Sequence, residues 1–342
     1  MAEDGSISDR DAAPTPEIDV RDGVLRLRAP GATWLSTGWR GGRRDADAAY
    51  NISVPTGWDR TDLDAYVDER LDAAAFDADE RSSSSPDSAS PHRDADERDS
   101  SSPDSQTRQD AAGRESSEPS VAGAPEDADG PALLTGVAME HARAARLDAD
   151  PDADANASVL AVATAGVSNP AALFPDERED ADAASSRASD RSPDEHGPGT
   201  VNVLLYADRT LTEGALANLV AVVAEAKAAA LVREAGFPGT TTDAVIVGCP
   251  AVAEPGSGAD SENSVARFSG SGTPIGAAAR ACVRDAVLAS LRSRYADREI
   301  PATVADAEYG VATTRSAEVF EPAAAASSEA SATTDRSFDT HE

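Results

Sequence analysis

Lysine is almost missing from this chain of 342 residues: Lys227 is the single one, and the other basic residues are arginine. The chain carries 62 acidic against 30 basic residues, so its formal net charge is -32 at pH 7. Nucleic-acid binding needs clustered Lys and Arg, and the densest basic patch here is the short WRGGRR. We therefore predict no nucleic-acid partner. The acidity is typical of a protein adapted to a salt-filled cytoplasm, where salt screens the repulsion between surface carboxylates.

Cysteine and histidine are scarce, with 2 and 4 residues. Cys249 and Cys282 lie too far apart for a thiolate metal site, and two thiols suit a reducing compartment. Only His141 lies in a patterned segment, since the other histidines fall in acidic linkers or in the tail. This excludes a zinc centre with several histidines. We predict no metal ligands and no required cofactor, and the participation of a divalent ion stays open.

Several well-known motifs are absent, namely G-x-x-x-x-G-K-[ST], G-x-S-x-G and H-E-x-x-H, which excludes P-loop kinases, α/β-hydrolases and zincins. The N-terminus has no basic region followed by an apolar run, and no stretch approaches the roughly 18 apolar residues of a membrane span. We predict a cytoplasmic protein without a membrane partner. The sequence does not indicate its oligomeric state.

Segments without hydrophobic periodicity are rich in Asp, Ser, Pro or Ala, and we predict that they are disordered or form solvated loops. These segments are about 1–16, 77–130, 148–156, 176–198, 251–265 and 321–342. The rest forms one predicted domain over 17–310, interrupted by the acidic insertions. Apolar strands alternate with amphipathic helices in it, which predicts an α/β (α+β) sandwich with a mixed sheet packed by helices.

The predicted elements follow from local patterns. Within 17–76, short strands with a glycine turn are predicted in GVLRLRAP, TWLSTGWRGG and AAYNISVP, and a short helix that Thr61 can cap follows over 63–71. The stretch PALLTGVAMEHARAARL predicts a strand that runs into a helix. Further strands are predicted in ASVLAVATA, VNVLLYA and DAVIVG, with helices starting near Thr212 and at Pro274.

Lys227 lies in the apolar stripe of the helix that starts near Thr212, together with Leu216, Val223 and Leu231. A buried amine is costly unless it is paired. Lys227 is therefore either a site lysine that meets a carboxylate, an amide oxygen or an anionic intermediate, or a lysine whose stem packs while its head reaches water.

Two other positions suit amide or acyl chemistry. His141 follows Glu140 after a strand, where a neutral imidazole can exchange protons, although a half-buried histidine with one hydrogen bond fits equally. Asn169 precedes a proline in a tight turn, so its amide can serve an oxyanion or simply bond to its own backbone.

Polar residues in or beside the other elements add to this set. Asn202 lies early in an otherwise apolar strand, where its amide must find partners. Glu213 stands in the first turn of the Lys227 helix, where it also compensates the helix dipole. The loop FSGSGTPIG offers free N–H groups at a helix N-terminus, although Ser271 or Thr273 in it can act only as a cap.

Read in order, a series of motifs resembles the adenosylcobinamide amidohydrolase family of cobinamide salvage. The motifs are WLSTGWRGG, YNISVP, LLTGVAMEHA, VATAGVSNPA, GTVNVLLYA, LTEGALANLVAVVAEAKAAAL, TTTDAVIVGCP and FSGSGTPIGAAARACVRDAV. The resemblance implies hydrolysis of the amide between a corrin propionyl side chain and aminopropanol, which releases adenosylcobyric acid and (R)-1-aminopropan-2-ol.

From these residues we predict how the reaction is divided. Glu140 or His141 is the general base, and Lys227 and Asn169 stabilise the oxyanion or neighbouring amides. Asn202 and Glu213 support them. The other predicted substrate contacts are Trp34, Ser36, Trp39, Asn51, Thr242 and Ser271.

The three tryptophans Trp34, Trp39 and Trp58 could form a wall against the corrin disc or pack in the core. Two other functions remain open at this point. One is another amidase or ligase acting on a corrinoid precursor, although no ATP phosphate loop supports ligation. The other is a corrinoid chaperone or sensor without turnover.

Overall fold

The computed structural model describes residues 16–55, 57–76, 130–148, 157–174, 199–252, 265–307 and 309–321. Nearly all of each segment predicted to be disordered lies outside these residues. The strands of the described part are β1 Glu17–Arg21, β2 Val24–Ser36, β3 Gly42–Ser53, β4 Ala132–Thr135, β5 Arg143–Asp148, β6 Ser158–Ala165, β7 Ala171–Ala172, β8 Val201–Ala207, β9 Ala244–Pro250 and β10 Val311–Ala312. The helices are α1 Leu63–Ala74, α2 Glu213–Ala235 and α3 Pro274–Arg294.

Eight of the strands form one mixed sheet in the order β4–β3–β2–β9–β8–β6–β5, with β1 added beside β2. The pairs β3–β4 and β8–β9 are parallel, and the other pairs are antiparallel. The short strands β7 and β10 pair separately. The predicted α/β class with a mixed sheet is confirmed.

Strand β2 belongs to both halves of this sheet. Its register with β3 shifts between Arg28 and Ala32, so that its first part pairs with β1 and its second part with β9. Such a bulge bends a strand and increases its twist. As a result, Leu27 and Trp34 of β2 pack in one cluster with Leu204 and Tyr206 of β8. The two halves of the sheet therefore face each other across a shared apolar interior.

Alternation along the strands distributes the apolar side chains between layers. Val203 and Leu205 of β8 pack against α2 and α3, whereas Leu204 and Tyr206 point into the interior between the half-sheets. On the far side, α1 covers the outer face of β3. The described part of the chain thus has layers of helix, sheet, sheet and helix.

The two long helices begin and end where local signals predict. Thr212 caps α2 by accepting a hydrogen bond from the N–H of Ala215 at 3.3 Å, and Gly236 ends the helix in the left-handed region. Thr273 caps α3 in the same way, with Pro274 in the first turn. The predicted cap of α1 was wrong: Asp62, not Thr61, precedes that helix, and its side chain makes no capping bond.

The helix predicted after β4 was also wrong. Only one 3-10 turn forms, over Met139–His141, and the chain then continues as strand β5. The Ala- and Arg-rich stretch favours a helix by propensity alone. Pairing of all six β5 residues with β6 at the sheet edge outweighs this local preference.

Helix α2 corrects the expectation that no segment is long and apolar enough to cross a membrane. Among the described residues it is the one helix that meets this condition by length and composition. Ten of its side chains are buried in the protein, against the sheet and α3. Its apolar character is therefore explained by core packing.

Gly248 gives a test of the interior between the half-sheets. It pairs with Trp34 across β9 and β2, and a Cβ at Gly248 would approach the Trp34 ring to 2.3 Å. We expect Gly248→Ala to lower the free energy of unfolding by about 1–3 kcal/mol, measured by urea denaturation, because the core would be overpacked. The matched control is Gly214→Ala in the first turn of α2, where a Cβ meets nothing within 4 Å. This control should change stability by less than about 1 kcal/mol, and an equal loss in both variants would contradict the packing argument.

Candidate functional site

A cavity of about 740 Å³ opens where β8 and β9 begin. Five parts of the chain form it: the turn after β2, the segment between β3 and α1, the end of β4, and the residues at the starts of β8 and of β9. Trp39 and Trp58 are its aromatic lining. Its polar lining consists of the charged residues Asp59 and Arg60 and of four threonines, Thr61, Thr135, Thr200 and Thr242. A largely apolar cleft with a few convergent polar groups is the usual form of a small-molecule site.

The tryptophans divide between the cavity and the core. The guanidinium carbon of Arg40 lies over the Trp39 ring, 4.4 Å from the ring centroid. Trp58 packs against Tyr66, with ring centroids 5.1 Å apart. Trp34 does not line the cavity. Its side chain is fully buried, and its indole N–H donates to the Ala46 carbonyl at 2.9 Å. Of the two interpretations of the tryptophans, a wall fits Trp39 and Trp58, and core packing fits Trp34.

Two of the cavity threonines form a hydroxyl pair. The Oγ1 atoms of Thr200 and Thr242 lie 2.7 Å apart, and the Thr242 hydroxyl also donates to the carbonyl of Gly199 at 3.1 Å. A hydroxyl has one proton to donate. With the Thr242 proton on Gly199, the Thr200 hydroxyl donates to Thr242.

Lys227 binds the carboxylate of Asp243, the residue that follows Thr242. Both side chains are only 11% exposed. The same carboxylate accepts hydrogen bonds from the backbone N–H and the hydroxyl of Thr240 and, at 2.8 Å, from the N–H of Val201. Lys227 is therefore paired rather than reaching into solvent, and it does not line the cavity.

Asn169 also holds the segment before β9. Its amide donates to the hydroxyl of Thr241 at 2.7 Å, and its carbonyl accepts the N–H of Thr241 at 3.2 Å. Its side-chain oxygen is buried without a hydrogen-bond partner and lies against Gly199, where a Cβ would approach it to 2.2 Å. Asn169 thus lies behind the cavity wall, next to Thr200.

A second polar group lies between the half-sheets. The Asn202 amide donates to the side chain of Asn51 and to the carbonyl of Leu134, each at 2.9 Å. Asn51 donates in turn to the hydroxyl of Thr164 at 2.9 Å. Since Leu134 lines the cavity, this network fixes strand β4 as one of its walls.

His141 lies away from the cavity lining, in the 3-10 turn after β4. Its Nδ1 is 3.1 Å from the Ser293 hydroxyl, and its Nε2 is 3.5 Å from the exposed carboxylate of Glu140. Burial lowers the pKa of His141 below 6.5. Glu140 opposes this shift, and the nearby arginines of β5 and α3 add to it. The imidazole is therefore neutral near neutral pH.

The remaining predicted contacts are spread over the surface and the core. Ser36 is buried and accepts a hydrogen bond from Gly38, whose backbone lines the cavity. Glu213 and Ser271 are exposed, and neither lines the cavity. Thr242 does line it.

The sequence analysis did not single out Thr135 or Thr200. Thr200 comes just before the apolar strand β8, within the motif GTVNVLLYA, and this position was the available signal. The two cysteines are poor nucleophiles, because burial raises the pKa of both thiols, to about 11 for Cys282. In the part of the chain that the structure describes, no group of three or more His, Cys, Asp or Glu side chains could hold a metal ion.

The buried pair gives a stability prediction. Lys227→Met leaves the Asp243 carboxylate buried with only neutral donors, so we expect the free energy of unfolding to fall by about 3 kcal/mol or more in urea denaturation. Lys227→Met combined with Asp243→Asn should lose less than the sum of the two single changes. The exposed pair of Arg292 and Glu234 is the control: Arg292→Met should cost less than about 1 kcal/mol. Equal losses for Lys227→Met and Arg292→Met would refute the role of the pair.

His141 gives a prediction on pH. Because its folded pKa lies below the 6.5 of the free group, its stabilising contribution is complete above pH 6.5 and is lost as the pH falls from 6.5 through the folded pKa. We expect urea unfolding at pH about 7.5 and about 5.5 to show a smaller decrease in stability for His141→Gln than for the wild type. An identical pH dependence in both proteins would show that His141 titrates normally.

Comparison with known proteins identifies relatives over most of the chain. The family model described as adenosylcobinamide amidohydrolase matches residues 100–299. A protein of Halobacterium salinarum named adenosylcobinamide amidohydrolase is 43% identical over 304 residues, which cover 89% of this chain and 98% of that protein.

Solved structures are more distant. The PH0078 protein from Pyrococcus horikoshii OT3 has 11% identity and a TM-score of 0.37, with 80% of this chain and 78% of that chain covered. The L-aminopeptidase D-Ala-esterase/amidase from Ochrobactrum anthropi has 15% identity and a TM-score of 0.25, with 44% and 39% covered. With such low TM-scores, neither structure indicates the reaction of this protein. The family model and the close relative agree, and the chain belongs to the adenosylcobinamide amidohydrolase family.

Proposed function

We propose that this protein hydrolyses adenosylcobinamide at the amide that joins the corrin propionyl side chain to aminopropanol. The products are adenosylcobyric acid and (R)-1-aminopropan-2-ol, and the reaction belongs to cobinamide salvage. The observation that carries the proposal is family membership, with 43% identity to a relative of that name over 98% of the relative's length. The protein is thus an enzyme whose substrate is a small-molecule corrinoid.

The cavity suits part of such a substrate. At about 740 Å³ it falls in the range of small-molecule sites, and it is open on one side, so the amide side chain and the adjoining ring edge can enter it. Trp39 and Trp58 offer flat apolar surfaces to the corrin edge. The hydroxyls of the four lining threonines can bond to the amides around the ring, since a hydroxyl can donate and accept.

We place the scissile amide at the hydroxyl pair of Thr200 and Thr242. Hydrolysis adds a water oxygen to the carbonyl carbon, breaks the C–N bond and moves a proton to the leaving nitrogen, so the products are an acid and an amine. The carbonyl oxygen gains negative charge on the way, and a positioned donor stabilises it most when that donor is fixed beforehand. Thr242 Oγ1 is held in place by Thr200 and Gly199, and in this proposal its one proton turns from the Gly199 carbonyl to the oxyanion when substrate binds.

Lys227, Asp243 and Asn169 act as positioning residues in this proposal. Asp243 joins the segment before β9 to the first N–H of β8, and Lys227 balances its charge. Asn169 holds Thr241, the neighbour of Thr242. The predicted direct role of Lys227 and Asn169 at the oxyanion is replaced by support of the hydroxyl pair.

The general base proposed from the sequence remains Glu140 or His141. Neither lines the cavity. Catalytic contacts often tighten only when substrate is bound, so this geometry does not remove them as candidates. The neutral imidazole of His141 is the protonation state that a base needs.

Several expectations from composition also remain proposals. We propose that the enzyme works in the cytoplasm of a salt-adapted cell and needs no metal ion, nucleic acid or membrane. The net charge of -32 and the core position of α2 support the statements on nucleic acid and membrane.

The test is turnover of adenosylcobinamide in molar KCl, with and without EDTA, followed by chromatography and mass of adenosylcobyric acid. We expect Thr242→Val to lower kcat by about 100-fold or more, as for loss of one oxyanion donor. We expect Thr200→Val to lower kcat as well, because Thr242 Oγ1 then loses the hydroxyl that positions it. Thr313→Val removes an exposed hydroxyl outside the cavity and should keep wild-type turnover.

Folded Thr200→Val and Thr242→Val enzymes with near-normal kcat would refute the hydroxyl-pair assignment. Bound corrinoid without any product from the wild type would replace hydrolysis by a chaperone or sensor role. Loss of turnover with EDTA would show that a metal ion is required.

A further inference from the structure

Three arginines gather beside His141, at the end of α3 and the start of β5. They are Arg143, Arg294 and Arg298. Arg143 and His141 both contact Ser293, the residue before Arg294. The guanidinium of Arg298 lies over the ring of Tyr295, the residue after Arg294. The charge of each arginine helps to lower the pKa of His141. None of the three takes part in an ion pair within the described residues. A cluster of positive charge without a carboxylate is unexpected in a chain with 62 acidic residues.

Other arginines on the same helix behave differently. Arg280 pairs with Glu225, Arg284 with Asp285, and Arg292 with Glu234. Acidic partners are therefore within reach along most of α3. The exceptions are Arg294, the last residue of α3, and Arg298 beyond it.

Arg294 is held partly out of water. Its Nε atom is buried and has no hydrogen-bond partner in the described part of the chain. The side chain packs on the backbone of Gly166, where a Cβ would lie 2.9 Å from Nε. Burial, and then the charge of Arg298, lowers the pKa of Arg294. Buried donors are normally satisfied, whereas the desolvation of this N–H is not offset by a hydrogen bond within the described chain.

The polar groups next to Arg294 are also near His141. Ser293 accepts a hydrogen bond from Arg143 at 2.6 Å and contacts His141 Nδ1 at 3.1 Å. Arg143 makes its other bonds to the backbone carbonyls of residues 140 and 142. The carboxylate beside this group is Glu140, which is exposed and pairs with His141 rather than with an arginine.

Compensation of the α3 dipole does not account for the cluster. Positive side chains in a last turn are favourable by about 0.3–1 kcal/mol when they are exposed to solvent. Arg292 fits this description, since its side chain is 63% exposed. A guanidinium with a buried, unpartnered N–H beside a second guanidinium gains little from the dipole and pays for its desolvation.

We propose that Arg143, Arg294 and Arg298, together with His141, form a binding site for an oxyanion, either a carboxylate or a phosphate group. The planar guanidinium fork matches the two oxygens of such groups, and a ligand charge would offset the repulsion among the arginines. The site lies outside the lining of the cavity and does not depend on the proposed reaction. Gly166 connects the two regions, because its N–H donates to the carbonyl of Thr200.

The experiment is isothermal titration of the purified full chain, without corrinoid, at constant ionic strength. Inorganic phosphate and propionate are titrated separately. We expect one of them to bind at one site per chain, and the stronger ligand identifies the group as phosphate or carboxylate. Arg294→Gln should weaken that binding at least about tenfold, the scale of one lost charge-assisted contact. Arg284→Gln, on the same helix but exposed and paired with Asp285, should leave it unchanged.

A second variant covers the case in which Arg294→Gln does not fold. Arg298 is exposed, so Arg298→Gln should fold normally and still weaken binding. In parallel, the anion should shift the His141 imidazole signal in NMR spectra, identified by its loss in His141→Gln. The proposal is wrong if neither anion binds the wild type, or if folded Arg294→Gln and Arg298→Gln bind as the wild type does. Since no turnover is measured, these outcomes are independent of the hydrolase activity.

Discussion

The buried carboxylate of Asp243 is the contact on which the cavity depends. It receives Lys227 from α2, the N–H of Val201 at the start of β8, and two donors from Thr240. One side chain thereby joins three successive parts of the chain, namely strand β8, helix α2 and the turn before β9. Thr200 and Thr242 flank these contacts, so their hydroxyl pair is held by the same carboxylate. The cost of burying the two charges is met because each has a partner, which explains why the single lysine occupies a core position.

The bend in β2 is the second feature on which the cavity depends, because it places the two halves of the sheet opposite each other. Without the register shift between Arg28 and Ala32, the half-sheets would not face each other and the polar network of Asn51, Thr164 and Asn202 could not form. Such a network is stabilising only when most of its groups are satisfied. Here it also binds the carbonyl of Leu134 and so sets the position of β4 against β8. The buried polar network between the half-sheets thus positions β4, which is one wall of the cavity.

Local signals in the sequence predicted the elements whose ends are marked by capping residues or whose strands are continuous apolar runs. Thr212 and Thr273 cap α2 and α3, and the apolar runs of β8 and β9 are strands of the buried type. Long-range pairing decided the rest, as in β5, where a helix-favouring segment pairs along the sheet edge. The cavity was harder to predict because Trp39, Trp58, Thr200 and Thr242 come from distant parts of the chain. A threonine before a strand carries no periodic signal, so its place in the motif GTVNVLLYA was the only indication of Thr200 in the sequence, and its contact with Thr242 became visible only in the structure.

A crystal structure of Thr200→Val with bound adenosylcobinamide tests the central claim most directly. The variant keeps the shape of the site and is predicted to turn over slowly enough to retain its substrate. The account predicts that the scissile carbonyl oxygen lies within about 3.2 Å of Thr242 Oγ1, a normal hydrogen-bond distance, with the corrin edge against Trp39 and Trp58. Substrate bound with its scissile carbonyl oxygen out of hydrogen-bond reach of Thr242 Oγ1 would contradict it.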